Sequence, residues 1–170
     1  MLELVRAIAK TLGADLRNPK WTSYGALELD VFCPTRADLD LLIEAIKPIA
    51  RFEFVKDLNV APPHKEEGDL FAEARELFNA ERYWECHEVL EGIWRTKQGE
   101  EKHLLQGIIL VCAAFVHHQK GEEAVALGVL GRAIKQLNFS ESVYGGFNVA
   151  GLEKDADKII RSREFTNFRV

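Results

Sequence analysis

A chain of 170 residues, 47% hydrophobic and 29% charged, carries enough apolar material for one domain, or one domain plus a small appendage, without disulfide staples. Its net charge of -5 and the lack of any basic block argue against a nucleic-acid partner, and no apolar run approaches the roughly 20 residues of a membrane span. Charges within the opening run Met-Leu-Glu-Leu-Val-Arg-Ala-Ile-Ala-Lys exclude a signal peptide there, while three well-separated cysteines, Cys33, Cys86 and Cys112, with no Cys-x-x-Cys, predict a reducing, cytoplasmic setting in which the thiols pack as small apolar groups.

Leu2, Val5, Ile8, Ala9 and Leu12 recur at helical spacing, and Gly13 supplies a stop. From Ala26 to Cys33 the period becomes two, which predicts a strand with one buried face. Thr35 with Asp38 three residues on makes a capping box for a helix whose apolar face is Leu39, Leu42, Ile43 and Ile46, ended by Pro48. A second strand is expected from about Ile49 to Lys56, reaching towards Val60, because Phe52 and Phe54 alternate with charges. Residues 1–60 therefore read as a small α/β part, helix-strand-helix-strand, whose crossover would make the strands parallel. Two strands alone are marginal in water. A third is expected from the run 164–170 or from Lys20–Tyr24 folding back as a hairpin, with pairing to a second copy, a homodimer, as a further way to cover the edges.

Residues 61–68, with Pro62 and Pro63, read as a linker. Residues 69–162 then form an antiparallel all-α bundle, and 163–170 a tail, so the chain is α+β overall. In the bundle, Leu70, Phe71, Ala74, Leu77 and Phe78 share the first helical face, Asn79–Arg82 is a turn, and a second helix runs from Tyr83 to about Lys97. A third spans about Glu101 to Gln119, and a fourth ends near Leu137 with Gly128 and Gly131 on a small-residue face. Tyr144–Phe147 is a loop, and Leu152, Ala156, Ile159 and Ile160 mark a last helix. Trp84, Trp94 and Phe115 are expected as core or interface anchors, and Gly107 as a point of close helix contact.

The polar interest lies on the second helix of the bundle. His87 and Glu91 are i, i+4 and stand one above the other, with Glu88 beside both. An imidazole and carboxylates at this spacing can hold one divalent metal ion from one helix. The third helix offers His103, Gln106, Leu110, Ala113 and His117 along one stripe. For an antiparallel hairpin closed near residues 98–100, facing residue numbers sum to roughly 198. Gln106 then lies close to Glu91, while His117 lies nearly two turns from His87, on the order of 9 Å. Glu85 or Glu81 with His117 could form a second polar station. Cys86 adjoins His87, but successive helical residues point about 100° apart, which argues against a thiol nucleophile in the same site.

Leu77-Phe78-Asn79-Ala80-Glu81-Arg82-Tyr83 leading into His87-Glu88-x-x-Glu91-x-x-Trp94, then Leu105-Gln106-Gly107-Ile108-Ile109 and Ala113-Ala114-Phe115-x-His117, resembles a small all-helical family of unknown function. Its members are often labelled predicted metal-dependent hydrolases. The resemblance spans Asp69 to Leu137 and implies a compact bundle with a polar pocket carrying His87, Glu88, Glu91, Gln106 and His117.

The expectation is a metal-dependent hydrolase in which His87 and Glu91 bind the ion, Glu88 is the catalytic base, and Gln106, His117, Glu85 and Trp94 belong to the pocket. A helical-repeat-like module that binds a protein, peptide or small molecule without catalysis stands beside it. So does a polar cluster that only organises the bundle.

Overall fold

The structure, a computed structural model, describes residues 1–57, 60, 65–137 and 142–170. Its seven helices and two small antiparallel sheets among those residues make it α+β, with a helical bundle. The chain divides into two compact units, Met1–Pro63 and His64–Val170. Of the linker expected at 61–68, positions 61–64 lie outside the described residues.

In the first unit, α1 (Leu2–Thr11) buries Val5 and Ala9, one turn apart on its inner face. Strand β1 (Asp15–Trp21) turns back onto β2 (Leu27–Phe32) as an antiparallel hairpin, with Leu16 opposite Val31 and Trp21 opposite Leu27. Helix α2 (Arg36–Ile46) follows, and its N-terminus is the capping box read from the sequence. The Thr35 backbone N–H donates to the Asp38 carboxylate at 3.0 Å, and the Asp38 N–H donates to Thr35 Oγ1 at 3.2 Å. Ala9, Ala14 and Leu42 form the small buried core.

The element order is thus helix, strand, strand, helix, and the parallel crossover expected from the sequence is corrected to a hairpin. Residues 51–57 form no strand; alternation supplies two faces but no ladder, and positions 58 and 59 of the run expected to reach towards Val60 lie outside the described residues. The hairpin onto β2 offered by Lys20–Tyr24 is present, but its strand begins further back, at Asp15, and ends at Trp21; Pro19 sits inside it, next to Asn18 at a φ of 48°. The register slips between Arg17 and Lys20. A bulge is what lets an edge strand tolerate a proline that cannot donate. Residues 164–170 are not a third strand either. Phe165, Phe168 and Val170 pack on the core of the second unit.

That second unit runs α3 (Glu67–Asn79), α4 (Tyr83–Trp94), α5 (Gly99–Gln119), α6 (Glu123–Leu137), a two-residue-per-strand hairpin β3 (Val143–Tyr144) and β4 (Phe147–Asn148), and α7 (Val149–Ser162). Where a loop was expected at Tyr144–Phe147, this short hairpin stands. Each helix packs on the next, as short turns require. The turn between α3 and α4 is a Schellman closure: Arg82 N–H donates to Leu77 O at 2.9 Å and Glu81 N–H to Phe78 O at 3.0 Å, with Glu81 left-handed at a φ of 60°.

The central helix α5 is buried on most of its circumference, including Leu104, Leu105, Ile108, Val111, Cys112 and Phe115. An aromatic cluster locks it to its neighbours: Tyr83 stacks on Phe115 at 4.7 Å, and Phe78 meets Tyr83 edge-on at 5.1 Å. Gly107 is the close-contact position the sequence suggested, since a Cβ there would lie 2.9 Å from Leu137 Cδ2 and 3.1 Å from its backbone nitrogen. Gly128 has nothing within 4 Å and marks no close approach. No helix among the described residues is long and apolar enough to cross a membrane.

Candidate functional site

Helix α4 sets the site by its period. Tyr83, Cys86, Leu90 and Ile93 turn inward, which fixes what the other face can present. His87, Glu88 and Glu91 emerge together there, and one ligand atom from each lies within 4.8 Å of the others. The side chain of His87 is 21% exposed and that of Glu88 53%; Glu91 is 33% exposed. The His87 Nδ1 lies 3.3 Å from a Glu88 carboxylate oxygen. Arg95, one turn further on, forms an ion pair with Glu91 at 3.2 Å. The donor set of one imidazole nitrogen and two carboxylates suits a divalent cation and leaves coordination positions open to solvent.

Trp84 is corrected from a buried anchor to a surface residue. It is 48% exposed, and its indole lies parallel to the His87 imidazole, with ring centroids 5.3 Å apart and an interplanar angle of 8°. The i, i+3 spacing of Trp84 and His87 was the available signal. Trp84 therefore screens one flat side of the imidazole and holds the ring's orientation.

The hairpin register follows the arithmetic of the sequence. Cys86 and Cys112, whose numbers add to 198, touch through their sulfurs, and Gln119 Nε2 donates to Glu81 O at 2.9 Å. The stripe His103, Gln106, Leu110, Ala113 and His117 is the incompletely covered face of α5.

Its members serve different places. Gln106 lines a depression of about 350 Å³ with Trp94, Gly99, Lys102, His103 and Gln136. His87, Glu88 and Glu91 are not among its lining residues. Lys102 lies over the Trp94 ring at 4.1 Å, and His103 Nδ1 is 3.2 Å from Gln136 Oε1. His117 pairs with Glu122 across the α5–α6 turn, and Glu85 receives the Arg82 guanidinium. The structure thus gathers His87, Glu88 and Glu91, sets Gln106 with Trp94 in the depression, and gives His117 and Glu85 partners of their own, the Glu122 carboxylate and the Arg82 guanidinium. Trp84, Lys102 and Gln136 are the additions the sequence reading did not assign to a site; His103 was among the candidates on the α5 stripe.

Residues 71–129 match the family model described as a domain of unknown function, DUF309. Among solved structures, the chain is similar to a conserved hypothetical protein from Thermus thermophilus, with 34% identity over 54% of this chain and 95% of that one, at a TM-score of 0.48. No curated protein matches. The candidate cluster on α4 lies inside the span that matches the DUF309 model.

Proposed function

We propose that the helical unit binds a divalent metal ion through His87 and Glu91, with Glu88 beside them as catalytic base, and is a metal-dependent hydrolase. The observation that supports the reading is the convergence of these three ligand atoms on one face of one helix. A bound divalent ion supplies Lewis acidity and makes water easier to deprotonate. The chain's own residues do the rest. His87 and Glu91 hold the ion, His87 being oriented by the Trp84 stack. Glu88, the most exposed of the three, would accept a proton from water there. Gln106 and Trp94 line a separate depression with His103 and Lys102 and take no part in holding the ion.

Calorimetric titration of the full chain, purified without a metal-affinity tag, with Zn²⁺, Mn²⁺ and Mg²⁺ tests the first step. One saturable site is expected, weakened tenfold or more by His87→Ala and by Glu91→Gln, an order expected for loss of one protein ligand. Bound metal should also raise the Tm by mass action. The absence of saturable binding for all three ions would sink the reading. Glu88→Gln then separates its two roles: a base loses turnover of chromogenic ester and phosphoester substrates while metal binding persists, whereas a ligand loses both.

A second reading has its own observation. Trp84 is a large exposed aromatic on α4, the kind of anchor a peptide-binding helical module uses. Trp84→Ala would abolish capture of a peptide in that case, and wild-type chain saturated with a chelator would still capture it.

A further inference from the structure

Cys86 on α4 and Cys112 on α5 play no part in the cluster proposed above. Both are fully buried within the core of the helical unit. Their sulfurs are 3.4 Å apart, the Cys112 thiol donating to Cys86 Sγ. Each sulfur is carried by a rigid helix, and the two helices are consecutive and antiparallel, so the approach is set by packing and not by a mobile loop. A space-filling role needs no sulfur at either position. Two sulfurs facing one another at a single register position are one covalent bond short of a cross-link. Closing from 3.4 Å to the roughly 2.05 Å of a disulfide takes a shift of little more than an ångström.

We propose that Cys86 and Cys112 are a dithiol–disulfide pair that a peroxide-class oxidant converts into a bridge between α4 and α5. One thiolate attacks a peroxide oxygen; the O–O bond breaks, hydroxide leaves, and a sulfenic acid forms. The second sulfur then attacks the sulfenic sulfur. The S–S bond forms as the S–O bond breaks, and water leaves. Two thiols lose two electrons and two protons, and hydrogen peroxide is reduced to two waters. Burial excludes bulky oxidants, so a small peroxide is the fitting one, and the rate follows local opening of the α4–α5 hairpin. The bridge closes the loop containing the α4–α5 turn and so restrains the unfolded chain. This inference does not depend on metal binding.

The test treats the full chain with hydrogen peroxide in the presence of a chelator, which removes metal-catalysed oxidation, and then alkylates it under denaturing conditions. The expected product is lighter than the reduced protein by about 2 Da before alkylation, the two hydrogens lost on forming one disulfide. It carries a single alkylated cysteine, Cys33, and yields a dithiothreitol-sensitive peptide pair joining Cys86 to Cys112. It also melts higher than the reduced form, by ~5 °C or more. Three alkylatable thiols, a gain of about 32 Da from sulfinic acid, or a bridge that uses Cys33 or a second molecule would overturn the proposal. So would a bridged form that melts lower than the reduced one, because the native geometry would then reject the bond. Cys112→Ala should abolish the bridge; should that variant fail to fold, the peptide map of the wild type decides alone.

Discussion

The two units solve the same problem with different resources. The helical unit has a continuous core that includes Phe78, Tyr83, Leu104, Phe115 and Leu130, all fully buried, extended by the rings of Phe165 and Phe168. The first unit fully covers little beyond Val5, Ala9, Ala14 and Leu42, and it exposes Leu4, Trp21, Val31, Phe32 and Leu41. Its hairpin β1–β2 would be marginal alone and depends on α1 and α2. In the helical unit each helix buries a stripe set by its own period against its neighbour in sequence. In the first unit the decisive contact is a pairing between strands, interrupted by a bulge and assisted by the ion pair of the buried Lys20 with Glu28 at 3.0 Å. Stability drawn from periodic helices is spread over many side chains, whereas stability drawn from a small mixed unit rests on few.

Truncations of one residue in each core put that contrast to its strongest test. Phe78→Ala removes a fully buried ring that touches Tyr83, Phe115 and Phe168 and should cost the helical unit about 3–5 kcal/mol. Leu42→Ala should cost the first unit about 2 kcal/mol, at the low end of its class, because half-covered Leu12, Leu16 and Ile46 can collapse into the space. Urea titration followed by amide exchange in each unit measures both. A larger loss for Leu42→Ala would break the comparison.

A smaller effect sharpens it inside the helical unit. Gly107→Ala forces a Cβ against the Leu137 backbone and should destabilise by about 1–3 kcal/mol. Gly128→Ala meets nothing and should stabilise by about 0.5–1 kcal/mol through helix propensity alone. Thermal melts of the two variants should move in opposite directions; a common direction would mean that helix spacing at Gly107 does not limit packing.

The same contrast explains how much was legible in advance. The α3–α6 helices, their inward faces, and the α4–α5 register were readable because helical period and short turns are local properties. His87, Glu88 and Glu91 could be grouped for the same reason, since one helix carries all three. The hairpin onto β2 was legible only as an alternative at Lys20–Tyr24, because Asn18-Pro19 masks the alternation further back, and the bulge that accommodates it is visible only when the partner strand is known. Residues 51–57 misled in the opposite way: alternation of Phe52 and Phe54 with charges describes a strand's faces, and pairing depends on a partner far away in sequence. Trp84 was misplaced because a tryptophan in an apolar-rich helix is usually buried; only the phase set by Tyr83 and Cys86 shows that it points outward. Gly128 misled because a glycine suggests a close neighbour without naming one.

The smallest expected effect near neutral pH belongs to Tyr83, the residue that starts α4. Its ring is buried against Phe115 and Phe78, and its hydroxyl lies 3.4 Å from Asn167 Oδ1. Burial pushes its phenol well above the usual tyrosine range, and the negative charge of Glu81 pushes the same way, with smaller contributions from Cys112 and Cys86. An acid whose folded pKa is raised keeps its proton in the native state while the unfolded chain ionises near pH ~10. Its contribution is therefore complete below that pH and is lost as pH climbs from about 10 towards the folded value, at up to ~1.4 kcal/mol per pH unit. Tyr83→Phe cannot ionise. It should change stability by less than about 1 kcal/mol at pH ~7, the worth of one weak neutral hydrogen bond, and should lose stability less steeply than wild type above pH ~10. Melting curves from pH ~8 to ~11 decide the matter. Parallel alkaline slopes for the two proteins would mean that Tyr83 is not the buried phenol that the helical core holds protonated.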